Sequence, residues 1–172
     1  MPDGELPRVD PLGSRPRRVS AYAGFLRSAP GRWLGINVAP RVDPWLMRAT
    51  RGKLSMALVL PSALLTTRGA KSGAKRVNPV LYFHDGNDVI LVASSFGRES
   101  HPAWYHNLKA NPEVQLGKGG GGDRYRSVEV AGDEERDRVW ALADRIYPLF
   151  DDYRRRAGAS GRTIPLVRLV PA

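Results

Sequence analysis

Residues 66–79 contain the side chains best suited to holding an anion, and they lie between two apolar runs. Gly69 and Gly73 allow the backbone to adopt positive φ and to approach a ligand closely, and successive amide groups in such a turn can converge on an anion. Four cations would donate charge-assisted hydrogen bonds to phosphate or carboxylate oxygens: Arg68, Lys71, Lys75 and Arg76. The segment predicts a site for a phosphate-bearing cofactor between two strands, and the competing interpretation is a solvated basic hairpin.

The runs on either side of this loop have the composition of β-strands. Strands are predicted over residues 63–66, 76–83, 89–94, 113–116, 125–130 and 163–170. The sequence Asp-Gly-Asn-Asp at 85–88 predicts a hairpin turn. Because several runs are continuously apolar instead of alternating, we expect burial on both faces of the sheet, as in a closed barrel.

The first fifty residues change character along their length. Residues 1–19 are rich in Pro and Gly and poor in apolar side chains, which predicts a poorly ordered tail ahead of a single domain over residues 20–172. Amphipathic helices follow, and the second is predicted to begin with Asp43 as N-cap and Pro44 at the first helical position. Basic helices that carry aromatic side chains either lie on an anionic membrane surface or pack over one end of a barrel, and packing is the more frequent outcome.

The helix predicted after the third strand places an indole beside an amide. Trp104, Asn107 and Leu108 share one face of this helix. Such a face either lines a planar ligand with polar edges or packs in the core, and the pattern alone favours the core. Two further helices are predicted, one after Gly132 and one over residues 150–156.

Several kinds of chemistry are excluded by what the chain lacks. It has no cysteine, and its three histidines do not have the spacing of metal ligands. Ser72 and Lys75 fit S-x-x-K without the companion motifs of a serine hydrolase, and residues 117–122 match G-x-G-x-x-G without a following helix. If the protein is an enzyme, a cofactor is expected to carry the difficult chemistry.

The formal net charge of +10 favours anionic partners. Composition alone leaves nucleic acid, acidic lipid and phosphorylated small molecules open. No span has the length needed to cross a bilayer, and the first residues do not resemble a secretory signal. We therefore expect a cytoplasmic location, with membrane association left open.

Five blocks of sequence, taken in order, resemble one protein family. They are Thr-Thr-Arg-Gly-Ala-Lys-Ser-Gly at 66–73, Arg-Val-Asn-Pro at 76–79, Val-Ala-Ser-Ser-Phe-Gly at 92–97, Pro-Ala-Trp-Tyr-His-Asn-Leu-Lys-Ala-Asn-Pro at 102–112 and Arg-Thr-Ile-Pro at 162–165. Together they resemble the deazaflavin (coenzyme F-420)-dependent nitroreductase and quinone reductase family of actinobacteria. The resemblance implies an α+β, mainly β fold: an FMN-binding split-barrel-like β-barrel with N-terminal and peripheral helices.

The resemblance also implies a cofactor site and a substrate pocket. The phosphate and acidic tail of coenzyme F-420 would contact Lys71, Ser72, Gly73 and Arg76. The deazaflavin rings or the linker would be surrounded by Asn78, Pro79, Ser94, Ser95, Pro102, Ala103, Trp104 and Asn107. Tyr147 and Tyr153 correspond to aromatic residues beside the substrate pocket in relatives, and with Ser94 they are the catalytic candidates. The implied reaction is hydride transfer from C5 of the reduced deazaflavin to a quinone, nitroaromatic or enone, with no metal site.

Three positions depart from the family pattern. Ala70 stands where the family commonly has Arg, and Ser95 where it often has Lys. Loss of a charge-assisted hydrogen bond costs about 1.5–3 kcal/mol, so weaker coenzyme binding or a change to another flavin is expected unless Arg68, a further cofactor-binding candidate, compensates. Phe150 stands where some relatives carry Tyr, which removes a proton donor and argues against reduction of nitro drugs.

Alternative functions predict different ligands. A member of the same barrel class would bind FMN, and a carrier would bind the deazaflavin without turnover. A basic nucleic-acid-binding module would bind DNA or RNA with a steep salt dependence. Monomer and homodimer are both compatible with the sequence.

Overall fold

Six antiparallel strands close into a barrel in the computed structural model, which describes residues 6–13, 17–50, 55, 60–118 and 121–172. The strands are β1 (Ser62–Arg68), β2 (Lys75–Asp85), β3 (Asp88–Val92), β4 (Glu113–Gly117), β5 (Asp123–Glu129) and β6 (Leu166–Pro171). Their order around the barrel is β1-β2-β3-β6-β5-β4. The predicted α+β split-barrel class is confirmed, and each predicted strand has its counterpart.

The barrel has apolar side chains on both faces, as the continuous apolar runs predict. Alternate strand residues fill the interior, among them Leu65, Tyr82, Leu91, Leu116 and Leu169. Residues of the opposite parity point outward and pack under helices, among them Phe83, Ile90 and Leu166. β2, β3 and β6 therefore contribute buried residues to both clusters, whereas β1, β4 and β5 contribute them to the interior cluster.

Helices surround this barrel on its outer face and at one end. They are α1 (Arg17–Arg27), α2 (Ala29–Asn37), α3 (Ala39–Ala49), α4 (Ala103–Ala110), α5 (Asp133–Ile146) and α6 (Leu149–Ala159). Helix α4 contributes Trp104, Tyr105 and Leu108 to the interior cluster, whereas α1, α5 and α6 pack in the outer cluster. Within the described residues, no helix is both long enough and apolar enough to span a bilayer.

The predicted start of the helix near residue 43 is wrong. Helix α3 begins at Ala39 with Val38 as its N-cap, and Pro44 lies inside the helix. The first turn of α3 already contains a proline, which is favourable there because amides of the first turn have no acceptor within the helix. The helix therefore starts before Pro44. Asp43 is consequently a mid-helix residue, and its side chain is buried.

Part of the predicted tail packs on the barrel. Leu6 is buried, Val9 N donates to His84 Nδ1 at 3.1 Å, and the Tyr82 hydroxyl donates to the Pro7 carbonyl at 2.9 Å. A short extended segment next to an open strand end can satisfy its backbone groups this way. The rest of the prediction for residues 1–5 and 14–16 lies outside the described residues.

An ionic cluster joins the β2–β3 turn to α5 and β6. Arg138 binds both carboxylate oxygens of Asp85, at 3.1 and 2.5 Å. Arg168 binds Asp85 at 3.1 Å, Asp88 at 2.9 Å and Glu135 at 2.5 Å. These hydrogen bonds, those of Arg138 first, hold the pKa of Asp85 below its ordinary value of 3.8.

Asp85→Asn is expected to lower the free energy of unfolding by about 1–3 kcal/mol at neutral pH, because two arginines lose a charged acceptor. A lowered folded-state pKa means that the carboxylate stabilises the fold above pH 3.8 and that this contribution is lost as the pH falls through the folded value. The deficit of the variant should therefore shrink in acid, as urea unfolding at several pH values would measure. Asp137→Asn, which removes an exposed acid on α5, is the control. A deficit of Asp85→Asn that is constant down to acidic pH would contradict this account.

Candidate functional site

A cavity of about 320 Å³ lies between the barrel and the helices. Its walls come from α1, α2, α3, β1, β2, the turn after β3, the start of α4, and α6 with the residues before it. A volume of this size is at the lower end of the range for small-molecule sites. The walls are mostly apolar, and the polar lining residues include Asp43, Ser62, Asn78, Ser94, Ser95, Arg98 and the tyrosines.

The barrel side of the cavity contains most of the predicted ring-binding residues. The lining includes Asn78, Pro79, Ser94, Ser95, Pro102, Ala103 and Trp104. Pro102 is the N-cap of α4, and its carbonyl accepts from Tyr105 N at 3.0 Å. Trp104 follows in the first turn and is only 8% exposed, so its indole belongs to the barrel core and to the cavity wall.

The opposite wall carries the two predicted catalytic tyrosines. The hydroxyls of Tyr147 and Tyr153 lie 3.2 Å apart, and both side chains are buried. Burial, as the largest cause, raises the pKa of each phenol above its ordinary value. Both phenols are therefore protonated at physiological pH, and within the pair one hydroxyl donates while the other retains a proton to donate elsewhere.

The N-terminal helices complete this wall. The sequence favours packing of these helices on the barrel but gives no indication that they line a cavity. The lining residues that they add are Tyr22, Leu26, Gly35, Ile36, Ala39 and Asp43. Burial, followed by the charge of Asp43, raises the pKa of Tyr22 to about 12. Phe96 and Arg98 of the turn after β3 also line the cavity and were not predicted. The available signal was the apolar period of the early helices, which shows that one face is buried but not what it covers.

The basic loop, residues 69–74, is held in place by hydrogen bonds from α4. Asn107 Nδ2 donates to Thr67 Oγ1 at 3.0 Å, and Asn107 Oδ1 accepts from Ala70 N at 3.0 Å. Asn107 is thus a support for the loop and does not line the cavity. Because Trp104 lies one turn earlier on the same helix, α4 connects the loop to the cavity.

Most backbone amides of the loop are already bonded within the protein. Gly69 N donates to the Ala74 carbonyl and Gly73 N to the Gly69 carbonyl, each at 2.8 Å. Ala74 N donates to Ser72 Oγ at 3.3 Å. The expected convergence of amides on an anion is therefore wrong for these amides, since closing the tight turn uses them. Anion contacts must come chiefly from side chains.

Those side chains are exposed cations. Lys71 and Arg76 form no ion pair with any residue in the described part of the chain, and no acid occurs from residue 61 to residue 84. Strand alternation puts Arg76 on the same face as Asn78, about 7 Å along the strand. Arg76 is therefore close to the cavity residue Asn78, while Lys71 is exposed on the loop that precedes β2.

The structure does not bring all the predicted residues together. Arg68, Gly73 and Lys75 line a second groove with β4 and β5, which shares no lining residue with the cavity. The guanidinium of Arg68 lies beside Gly73: a Cβ atom at position 73 would be 3.6 Å from Nε of Arg68. Lys71 and Ser72 are exposed on the loop itself. The predicted residues thus divide into a cavity group and a loop group, joined by β2 and α4.

Comparisons with known proteins place this arrangement among described relatives. Residues 39–171 match the family model described as F-420H(2)-dependent quinone reductase. A Mycobacterium tuberculosis protein named as such a reductase is 38% identical over 112 residues, which cover 65% of this chain and 91% of that protein. A second protein of the same organism and name is 39% identical over 93 residues, covering 51% of this chain and 62% of that protein.

Solved structures show the same likeness. A structure of an F-420H(2)-dependent reductase is 36% identical, with a TM-score of 0.54, and the match covers 63% of this chain and 93% of that one. A structure described as a domain-swapped dimer is 32% identical, with a TM-score of 0.57, and the match covers 82% of this chain and 99% of that one. The family model begins at residue 39, so α1 and α2 lie outside the matched region.

Proposed function

The chain belongs to the F-420H(2)-dependent quinone reductase family, and on that premise we propose that it is an oxidoreductase which transfers a hydride from reduced coenzyme F-420 to a small electrophilic acceptor. A quinone is the first candidate, with nitroaromatics and enones as other members of the same chemical class. The observation that carries the proposal is the cavity beside Trp104, walled by Tyr147 and Tyr153, together with the exposed cations Lys71 and Arg76, which form no ion pair within the described residues.

The residues present fit this coenzyme. A flat ring with polar edges needs an apolar slot with a few polar groups, and the cavity supplies Pro79, Pro102 and Trp104 beside the amide of Asn78 and the hydroxyls of Ser94 and Ser95. A phosphate and an acidic tail need cations, and two are exposed: Arg76, two positions before the cavity residue Asn78 on β2, and Lys71 on the loop before β2. The family membership disfavours the FMN alternative.

The reaction divides the work between coenzyme and protein. When bound, the reduced deazaflavin supplies a hydride from C5, and a quinone that gains this hydride and one proton becomes a hydroquinone. The apolar walls exclude water from the reacting centre. Tyr147 and Tyr153 are neutral phenols that share one hydrogen bond, so the hydroxyl that keeps its proton free donates to an acceptor oxygen as negative charge develops on it.

Cofactor titration with turnover measurements tests the proposal. Oxidised coenzyme F-420 and FMN are titrated separately, and the reduced coenzyme is then followed spectrophotometrically with a panel of quinones, nitroaromatics and enones. We expect tight binding of the deazaflavin alone and turnover with quinones. Binding of FMN but not of the deazaflavin would reject the cofactor assignment, and binding without turnover across the panel would indicate a carrier.

We further propose that the acceptor reaches the site from an anionic lipid surface. The described helices α1–α3 present exposed apolar side chains at Phe25, Trp33, Val42 and Trp45, of which Trp45 is 69% exposed. Exposed arginines accompany them (Arg32, Arg41 and Arg48), and the one acid on these helices, Asp43, is buried. Basic helices with exposed aromatic residues bind at lipid headgroups, and the same helices line the cavity.

Replacing Trp33 and Trp45 together by serine should lower binding to phosphatidylglycerol vesicles about tenfold, because interfacial aromatic area is lost. Val128→Ser is the matched control, since Val128 is 51% exposed on β5. Vesicle co-sedimentation measures both variants. The proposal would be contradicted if the tryptophan variant bound these vesicles as well as the wild type does. It would also be contradicted if the wild type bound neutral phosphatidylcholine vesicles as well as phosphatidylglycerol vesicles. Whether the chain is a monomer or a homodimer stays a prediction.

A further inference from the structure

Arg162 is a buried arginine whose hydrogen-bond partners are uncharged. Its side chain lies in the segment between α6 and β6 and is 8% exposed. Nη1 donates to the carbonyls of Ser94 at 3.1 Å and Arg98 at 2.6 Å, and Nη2 donates to the carbonyl of Ala93. Nε donates to His101 Nδ1 at 3.0 Å. A buried charge usually has a carboxylate partner. A guanidinium that instead binds three carbonyls and an imidazole indicates that its role is to fix the positions of those groups.

The carbonyls belong to the segment 93–98, which has an unusual backbone. Ser95 and Phe96 have φ of 49° and 57°, and they are the positive-φ residues other than glycine in the described part of the chain. Side chains with a Cβ rarely adopt this region unless their surroundings hold them there. Gly97, with φ of 74°, cannot carry a side chain either, because a Cβ would lie 2.9 Å from the Tyr153 carbonyl. The segment needs outside support, and Arg162 bonds to it on both sides of the strained pair.

The same segment forms one wall of the cavity and contacts the others. Ser94, Ser95 and Phe96 line the cavity. The Phe96 ring packs edge-to-face on Tyr153, with centroids 5.8 Å apart, and Tyr153 is paired with Tyr147. Phe96 also lies against α2, since a Cβ at Gly35 would meet Phe96 Cε1 at 3.2 Å. A shift of this segment would therefore move the serines, the phenol pair and the helical wall together.

We propose that Arg162 is a positioning residue: its guanidinium holds the segment 93–98 in its strained form so that Ser94, Ser95 and Phe96 keep the shape of the cavity wall. Only the planar fork of arginine can reach several carbonyls and an imidazole at once; lysine presents its donors from a single atom. The support that Arg162 gives to the backbone of segment 93–98 does not depend on the reaction. The expected effect on turnover rests on the proposed function.

The first test uses the cofactor-free protein. Hydrogen–deuterium exchange is measured by mass spectrometry for Arg162→Met and Arg162→Lys, the latter keeping charge and approximate size in case the former fails to fold. Both should speed exchange across residues 93–98 by about tenfold or more, with exchange in β2 and β3 unchanged, since local opening needs only the lost contacts. Arg136→Met is the control, because Arg136 donates to the Ile164 carbonyl at 3.4 Å without touching the segment. Wild-type exchange at 93–98 in a folded Arg162→Lys variant would overturn the proposal.

The second test separates positioning from binding. In Arg162→Lys, kcat with a quinone should fall about tenfold or more because the cavity wall is displaced, while the dissociation constant of the coenzyme should rise by a smaller factor, because the ring contacts of Ser94 and Ser95 are disturbed but the basic loop is unaffected. An unchanged kcat together with a large rise in the dissociation constant of the coenzyme would overturn the proposal. If the wild type shows no turnover at all, the proposed function fails, and the exchange result still decides the positioning role.

Discussion

Replacing Trp104 by alanine is expected to lower the free energy of unfolding by about 3–5 kcal/mol, the usual cost of removing a large aromatic side chain from a core. The indole is 8% exposed, packs in the barrel interior with Leu108 and Tyr105, and forms part of the cavity wall. Little nearby material can fill the space, because α4 is also tied to β1 through Asn107. Chemical denaturation followed by far-UV circular dichroism would measure the change.

Trp45→Ala is the matched control for this prediction. Trp45 is 69% exposed, so its removal should change the free energy of unfolding by less than about 0.5 kcal/mol. Trp104→Phe should recover most of the lost stability, because a ring is retained. A loss for Trp104→Ala no larger than that for Trp45→Ala would show that the indole is not a core residue, and the description of the cavity wall would then be wrong.

Removing Lys71 of the basic loop and Arg76 of β2 together is expected to weaken coenzyme binding about a hundredfold, and each single substitution about tenfold. Lys71 and Arg76 are exposed and have no ion-pair partner within the described residues. Their replacement by alanine therefore leaves folding intact and removes two charge-assisted hydrogen bonds to the phosphate or the acidic tail. Calorimetric titration of oxidised coenzyme F-420 into each variant would measure the affinities.

Lys75→Ala provides the control because it removes the same charge from the adjacent strand position. Lys75 lines the second groove, whereas alternation along β2 puts Arg76 on the face of Asn78. The Lys75 variant should lose affinity by no more than about threefold, mainly through long-range charge, and this loss should disappear at high salt. Equal losses for Lys75→Ala and Arg76→Ala would mean that net charge, and not a local contact, governs binding.

The departures from the family pattern have a clear structural setting. Ala70 is exposed, and its amide is bonded to Asn107, so the missing arginine at this position leaves the form of the loop unchanged. Arg68 faces the second groove, which makes it a poor replacement for a cation beside the cavity. Phe150 packs edge-to-face on Tyr147 with centroids 5.2 Å apart. It keeps the shape of the aromatic wall without adding a hydroxyl, and the expectation against nitro-drug reduction stays a prediction.

Local sequence determined the barrel strands, the turn at residues 85–88, the late helices and the cation-rich loop. Each depends on neighbours along the chain: apolar runs for strands, Asp-Gly-Asn-Asp for the turn, and acids ahead of an apolar stripe for α5. The family resemblance added the cavity-lining residues of β2 and α4, which the structure brings together.

Tertiary structure alone decided how the site is enclosed and supported. Asp43 and Tyr22 line the cavity from helices whose pattern shows only that one face is buried, and Arg162 supports a segment more than sixty positions earlier in the chain. Local periodicity and capping describe contacts within a few residues, whereas these contacts arise when the barrel closes and brings distant segments to one point. The physical reason is that side-chain convergence depends on the packing of whole elements, for which no short stretch of sequence carries a signal.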